Sequence, residues 1–319
     1  MPLITIVAGC YNEVENVADL HTQIREVFEK LPRYSWELIF IDNASIDGTQ
    51  EVLRRLAADD RRVKVIFNAR NFGHVRSPYH GLLQAEGDAV IGMASDLEDP
   101  PSLIPQLLEK WERGHKVVAA VKRSTKDSLV LGLARRSYYA LVSRISHVDL
   151  IQNFTGFGLY DRQVIETLRQ IDDPYPYFRG LISEIGFAPA LVPFDKPLRK
   201  RGITKNNFFT LYDMAMLGIT KHSVAPIRLA TFAGFLMSGL SLFIALGYLV
   251  AKLVFWNKFS LGTAPLLIGM FFFSSVQLFF IGVLGEYIAS IHTHVRKLPL
   301  VVERERLNFD EPKVEAKAG

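Results

Sequence analysis

The chain has 319 residues, enough for one large domain or two smaller ones. Its 37 Lys+Arg against 33 Asp+Glu is too mild an imbalance to indicate nucleic acid as a partner. Cys10 is the only cysteine, which excludes an intrachain disulfide and fits a reducing compartment, while a mean hydropathy of +0.15 asks where the apolar excess sits.

The N-terminus carries no basic segment before its first apolar run, so no signal peptide is expected. Leu3–Gly9 reads as a buried strand, followed by Cys10-Tyr11-Asn12-Glu13 and a helix from about Val14 to Leu31. Trp36–Ile41 is a second strand, ending in Asp42-Asn43-Ala44-Ser45-Ile46-Asp47-Gly48-Thr49 before a helix to about Ala58. Val63–Phe67 and Asp88–Met93 follow as strands, with a helix near Pro78–Glu86 between them. Pro101–Arg113 reads as a helix and Val117–Val121 as a fifth strand. Thr155–Arg162 is a glycine-punctuated strand expected to close the sheet. Strands separated by helix-length segments indicate βαβ units and a mostly parallel sheet, an α/β fold. Ligands of such sheets bind beyond the carboxyl ends of the strands, where Asn12, Glu13, Asp42, Asp96 and Glu98 all fall.

The sharpest signal is Val90–Pro101, an apolar strand emptying into Asp96-Leu97-Glu98-Asp99 and a Pro-Pro. If the acidic end is extended, alternation puts Asp96 and Glu98 on one face. Two carboxylates so placed suit Mg²⁺ or Mn²⁺, a hard cation of the kind that takes one or two carboxylates plus substrate phosphates. Asp99 reads as the N-cap of the following helix. A dinucleotide-binding domain is the obvious rival. It requires glycines that Gly9-Cys10-Tyr11-Asn12-Glu13 lacks after the first.

The stretch from Lys122 to Arg144 is basic and aromatic, and its arginines suit a phosphate group. Arg199–Lys205 is a basic loop, and 206–227 is an amphipathic segment that reads as an interfacial helix. Neither Leu229–Ala251 nor Phe259–Gly285 contains a charged residue. The first covers roughly 34 Å as a helix, enough for a bilayer core of about 30 Å. Basic residues before the first run, with Arg296 and Lys297 after the second, place both ends in the cytosol by the positive-inside rule. The expected organisation is therefore a cytosolic domain over 1–205, the interfacial helix over 206–227, and a transmembrane hairpin over 228–290. The hairpin's spans cover about 229–253 and 261–285. A cytosolic tail over 291–319 follows, disordered in the charged run from Glu303 onward.

Cys10-Tyr11-Asn12-Glu13, Ile41–Thr49, Arg70-Asn71-Phe72-Gly73, Asp96–Pro101 and the twin apolar runs together resemble the family 2 glycosyltransferases. More narrowly they are similar to the polyprenyl-phosphate glycosyltransferases, that is, bactoprenol glucosyltransferases and dolichyl-phosphate mannose synthases. The resemblance spans about Leu3 to Lys297. It implies a nucleotide-sugar-binding, A-type (Rossmann-like) domain, a divalent metal, and inverting transfer of one hexose to undecaprenyl phosphate at the cytoplasmic face of the inner membrane. The product would be a lipid-linked sugar donor for cell-envelope glycan. A UDP-sugar, with glucose as first choice, is favoured over a GDP-sugar, and a homotetramer over other oligomers. By motif position Cys10, Tyr11, Glu13, Asp42 and Ser95 would line the nucleotide pocket. Asp96 and Glu98 would hold the metal. Arg201 and Lys205 would act with Asp96 on the diphosphate, and Arg123, Arg135 and Arg136 would meet the acceptor phosphate.

Departures from the family pattern sit at the same site. The usual Asp-x-Asp is Ala94-Ser95-Asp96, Glu98 stands where Gln is common, and Cys10 stands where Pro is common. The common Gly-Asp-Phe-Arg-Leu is Thr155-Gly156-Phe157-Gly158-Leu159, so the acid often placed near the reaction centre is missing. These losses motivate a second reading, a membrane-anchored sugar-nucleotide-binding or scaffold protein with impaired catalysis. A flippase or a processive synthase is disfavoured by the shortage of spans.

Overall fold

The computed structural model describes residues 1–123, 151–195, 225–255, 263–296 and 298–309. Described residues up to 195 and from 296 onward form one compact unit, and those from 225 to 295 form a second.

The first unit is built on an eight-stranded mixed sheet: β1 (Leu3–Cys10), β2 (Ser35–Asp42), β3 (Val63–Asn68), β4 (Ala89–Ala94), β5 (Val117–Lys122), β6 (Phe154–Asp161), β7 (Pro189–Phe194) and β8 (Glu303–Leu307). The strand order is β7-β5-β6-β4-β1-β2-β3-β8. Strands β1 to β4 are mutually parallel and nearly all buried, as their mostly apolar runs require of strands covered on both faces. One face packs on α1 (Val17–Glu29), α2 (Thr49–Asp59) and α4 (Ile104–Glu112). The other packs on α3 (Gly73–Leu83), α5 (Arg162–Arg169) and α6 (Phe178–Glu184). Gly81 lets α3 lie close against the sheet, since a Cβ there would sit 2.9 Å from Val7 Cγ1 and 3.1 Å from Ile41 Cγ2.

Three expectations about this unit change. Helix α3 begins at Gly73, with Pro78 in its sixth position instead of its first, so proline is a poor marker of this helix start. Strand β6 does not close the sheet. It runs antiparallel between β4 and β5 and brings its N-terminal end, Phe154–Gly156, to the edge where the parallel strands terminate. The true edge on that side is β7, whose Pro189 and Pro193 are exposed, as suits prolines on an edge strand. The charged run at Glu303 is ordered, because β8 pairs antiparallel with β3 and its charges find partners. Arg54 holds Glu305 in a bidentate pair, His80 meets Glu303, and Arg306 reaches Gln84. Composition alone signals disorder there; alternating charges with waiting counter-charges make an edge strand.

The second unit consists of α7 (Ala225–Val254) and α8 (Thr263–Val295). Large apolar side chains on both are exposed, among them Phe232, Phe235, Phe243, Phe271 and Phe279. Ile227–Ile244 and Gly269–Val295 are long and apolar enough to cross a membrane by length and composition. Helix α8 runs without interruption through Glu286 to Val295, past the end at about 285 expected for the second span. The interfacial segment up to residue 224 and the turn at 256–262 lie outside the described residues.

Candidate active site

The parallel strands bring their carboxyl ends to one edge. Cys10 pairs in register with Asp42, and Gly9 with Ala94, so the three candidate loops leave adjacent strands. The first two are tied to each other. Asn12 adopts φ +57°, its N–H donates to Ser45 Oγ at 2.8 Å, and its Oδ1 accepts from Ile46 N at 2.9 Å. Glu13 N donates to Thr49 Oγ1, and Glu13 Oε2 accepts from Asn16 Nδ2 at 2.6 Å. Asp47 accepts from Val14 N and from the amide and hydroxyl of Thr49. Burial would raise its pKa, but these donors outweigh it and hold the carboxyl below its ordinary value.

Asp42 is fully buried. It accepts from Ser45 N at 3.3 and 3.1 Å and from Gln50 Nε2 at 2.7 Å. Burial pushes its pKa up against those bonds. The same desolvation, with Asp42, Glu13 and Asp47 nearby, holds the Cys10 thiol protonated, and its Sγ rests 3.5 Å from Ile41 O. Cys10 therefore packs under the site as a small apolar group. Ser95, also buried, donates its hydroxyl to Gly9 O at 2.9 Å and pins the end of β4 to that of β1. Tyr11 and Glu13 are half-buried.

Beside them, Asn43 Oδ1 accepts from Phe72 N and Asn68 Nδ2, while its Nδ2 donates to Asn71 Oδ1 and Gly73 O. This network anchors the Arg70-Asn71-Phe72-Gly73 loop to the end of β2. Asn43 and Ser45, within a motif the sequence reading recognises, and Gln50, just beyond it, escape that reading because hydrogen-bond partners are set by how the loop folds back.

The acidic stretch differs from its expected extended form. It is a turn, with Leu97 at φ +61° and Glu98 N donating to Asp96 Oδ1 at 3.1 Å. Turn geometry, not strand alternation, places Asp96 and Glu98, and both are half-buried. Asp99 caps no helix. Its Oδ2 accepts from Ala94 N at 2.9 Å, closing the turn backward, and the 3₁₀ turn Pro101–Leu103 starts with no side-chain cap. A buried third carboxylate thus returns to Ala94, the position of the family's missing acid. Burial raises the Asp99 pKa to about 6, with Asp96 and Glu98 adding to the rise and Lys122 opposing it. Both neighbouring carboxylates therefore act electrostatically on Asp99.

No group of three or more His, Cys, Asp or Glu side chains converges as a metal cage among the described residues. Two half-buried carboxylates such as Asp96 and Glu98 would suit a hard cation that completes its shell with water and substrate phosphates, and would not suit a closed structural site.

Gly156 stands at φ +102°, accepts a 2.7 Å hydrogen bond from Tyr160 Oη, and would bring a Cβ 3.4 Å from Phe178 Cδ1. The missing acid at this position thus goes with a backbone conformation that L-residues rarely adopt. Asp161, the nearest acid in sequence, is taken by the fold. It accepts from Trp111 Nε1 and Gln163 N and pairs with Lys116 at 3.1 Å. Burial alone would raise its pKa; these partners outweigh burial and lower it.

Arg123 follows β5 at the same edge, exposed and paired with Asp195 at 3.1 Å, and β6 separates its strand from β4. Arg135, Arg136, Arg201 and Lys205 lie outside the described residues.

The profile described as "Glycosyl transferase family 2" matches residues 5–169, more than half of the chain. The chain belongs to glycosyl transferase family 2. This family 2 glycosyltransferase has the A-type α/β fold the sequence suggested, on a sheet that β6 and β8 make mixed where a mostly parallel one was expected. The uncharacterized glycosyltransferase YkcC of Bacillus subtilis (strain 168) is 32% identical to it over 311 residues, 97% of this chain and 96% of its own. The SfII prophage-derived bactoprenol glucosyl transferase of Shigella flexneri is 34% identical over 298 residues, 93% and 96% of the two chains. Among solved structures, a glucosyl-3-phosphoglycerate synthase from Mycobacterium tuberculosis, in complex with Mn²⁺, UDP and phosphoglyceric acid, is similar with a TM-score of 0.48. It is 19% identical and covers 69% of this chain and 76% of that chain.

Proposed function

We propose that this enzyme transfers one hexose, glucose from UDP-glucose in the first instance, to a polyprenyl phosphate such as undecaprenyl phosphate at the cytoplasmic face of the membrane. The observation that carries the reading is the arrival of the Cys10–Glu13, Asp42–Thr49 and Ser95–Asp99 segments at one edge of three adjacent parallel strands. Full-length likeness to a bactoprenol glucosyl transferase and two helices long enough to span a bilayer support it. In this reading α7 and α8 form a hairpin with cytosolic ends, the position from which a lipid acceptor can be met.

The Asp42 loop, with Tyr11 and Glu13, receives the nucleoside. Asp96 and Glu98 are the ligands for a divalent cation, Mg²⁺ or Mn²⁺, which when bound would neutralise the diphosphate and stabilise it as it leaves. Arg201 and Lys205 would contribute positive charge to the same oxygens. The acceptor phosphate is held by Arg123, with Arg135 and Arg136. One of its oxygens attacks the anomeric carbon, the bond to the UDP oxygen breaks, and the configuration inverts. A phosphomonoester is largely dianionic at neutral pH, so the nucleophile needs no general base. That chemistry accounts for the tolerated loss of the acid at Gly156.

The test is a panel of nucleotide sugars offered to the purified full chain with undecaprenyl phosphate and Mn²⁺ or Mg²⁺, read by mass spectrometry. Metal-dependent formation of a hexosyl phospholipid is expected from UDP-glucose. Nucleotide-sugar binding without either transfer or hydrolysis overturns the reading in favour of the scaffold.

A further inference from the structure

Gln50 and Arg54 stand four residues apart on α2 and share a helix face. Strand β8 presents two consecutive residues to that face. Its register against β3 runs Val65–Leu307, Ile66–Arg306, Phe67–Glu305 and then Asn68–Glu303, which leaves Arg304 as the extra residue of a bulge. Neighbours in a regular strand face opposite sides, and a bulge cancels that alternation locally. Arg304 Nη2 accordingly donates to Gln50 Oε1 at 2.7 Å, while Glu305 takes the two bonds from Arg54 at 2.7 and 2.5 Å. On the opposite face, Glu303 turns to His80 on α3.

Gln50 is the bridge. Its Nε2 donates to Asp42 Oδ2 at 2.7 Å. A guanidinium can only donate and an ionised carboxylate can only accept, so the amide is satisfied at both ends in one orientation alone. A flipped amide would set its oxygen against Asp42 and its NH₂ against Arg304. The chain segment after α8 therefore dictates which group of Gln50 meets the buried acid at the end of β2.

We propose that Arg304 is a positioning residue of the donor site: through Gln50 it fixes the Asp42 carboxylate against the nucleoside of the bound nucleotide sugar. The inference rests on the reading of Asp42 as a nucleoside-pocket residue. It assigns β8 a role that edge protection alone does not require.

The experiment measures UDP binding by calorimetry in Mn²⁺, and UDP-glucose KM and kcat, on the full chain. Arg304→Ala should weaken UDP binding and raise KM by about three- to tenfold, with kcat and Tm near wild type. Arg304→Lys, which keeps a donor, should recover part of the loss. Added to Gln50→Ala, Arg304→Ala should have no further effect, because the relay is already cut. Arg54→Ala removes the neighbouring pair without touching the relay; it should lower Tm and leave UDP binding alone. The proposal is overturned if UDP binding by Arg304→Ala is unchanged, if its effect adds to that of Gln50→Ala, or if both arginine variants lose affinity in step with Tm. Asp42→Asn separates the two levels: UDP binding unaffected by it removes the underlying reading, whereas a loss there with none in Arg304→Ala removes only the relay.

Discussion

The two flanks of the sheet's carboxyl edge solve opposite problems with the same residue types. On the β2–β3–β8 flank, acids and amides are absorbed into a polar network: Asp42 by Ser45 and Gln50, Asp47 by Thr49 and Val14, Asn43 by Asn68, Asn71 and Phe72. On the β4–β6–β5 flank, Asp96, Glu98 and Asp99 crowd into one turn, where the first two add to the rise that burial imposes on the Asp99 pKa. Both flanks bend through a non-glycine residue at positive φ, Ala44 on one and Leu97 on the other, so backbone shape does not distinguish them. Charge density does. A satisfied network suits recognition of a neutral polar group such as a nucleoside, and a concentrated acidic turn calls for a cation.

That contrast sets the order of expected effects. Asp96→Asn should lower transfer by roughly a thousandfold, and Arg201→Ala comparably, since each removes charge that matters most as the diphosphate departs. Single-turnover rates with UDP-glucose measure this, and near-normal turnover by Asp96→Asn would erase the cationic role of that flank. On the other flank Asp42→Asn should raise the UDP-glucose KM by about tenfold while sparing kcat, because a recognition contact acts on ground and transition states alike. Equal loss in kcat would make the flanks chemically equivalent. Asp161→Asn should leave turnover near wild type, as its partners are Trp111, Gln163 and Lys116.

Smaller effects concern stability. Gly156→Asp restores the family's acid on paper, yet at φ +102° it should cost about 1–3 kcal/mol and several degrees of Tm without raising activity. A gain in turnover at unchanged Tm would show that the β6 end accepts an acid after all. The smallest effect is pH-dependent docking of β8. Burial would raise the Glu303 pKa, but His80 and Arg306 outweigh it and bring the value from 4.5 to about 2. A carboxyl depressed in the folded state stabilises above its unfolded pKa, and that contribution is lost as pH falls from about 4.5 toward 2. After allowance for solvent screening this amounts to about 1 kcal/mol. Amide protection across Glu303–Leu307, taken relative to intrinsic exchange at each pH, should fall in acid in the wild type and lose that pH dependence in Glu303→Gln.

Much of the central sheet is legible in the chain. The runs at Leu3, Trp36, Val63, Val90 and Val117 read as strands because they are almost wholly apolar, and the exceptions Thr5, Glu37 and Lys64 bond to one another across the sheet. The elements passed over are those whose sequence argues against them until a neighbour is known. Strand β7 carries two prolines that suit an edge, and β8 is a run of charges whose partners, Gln50, Arg54, His80 and Gln84, lie far away in the chain. At the site, the acids were visible as residue types at strand ends, but the roles of Asp99 and Gly156 were not.

Sequence by itself determined the family, the parallel core and which loops carry the acids, because hydrophobic runs and strand-end motifs are local properties. Two apolar helices were equally local, fixed by length and the lack of charge. Tertiary structure alone decided that Asp99 turns back to Ala94, that β6 enters the sheet between β4 and β5, and that Arg304 reaches Asp42 through Gln50. The Asp99 turn is local but follows from how β4 ends, whereas the other two depend on a register or a bulge between distant segments, 254 residues apart for Arg304 and Gln50, and no local pattern encodes that pairing.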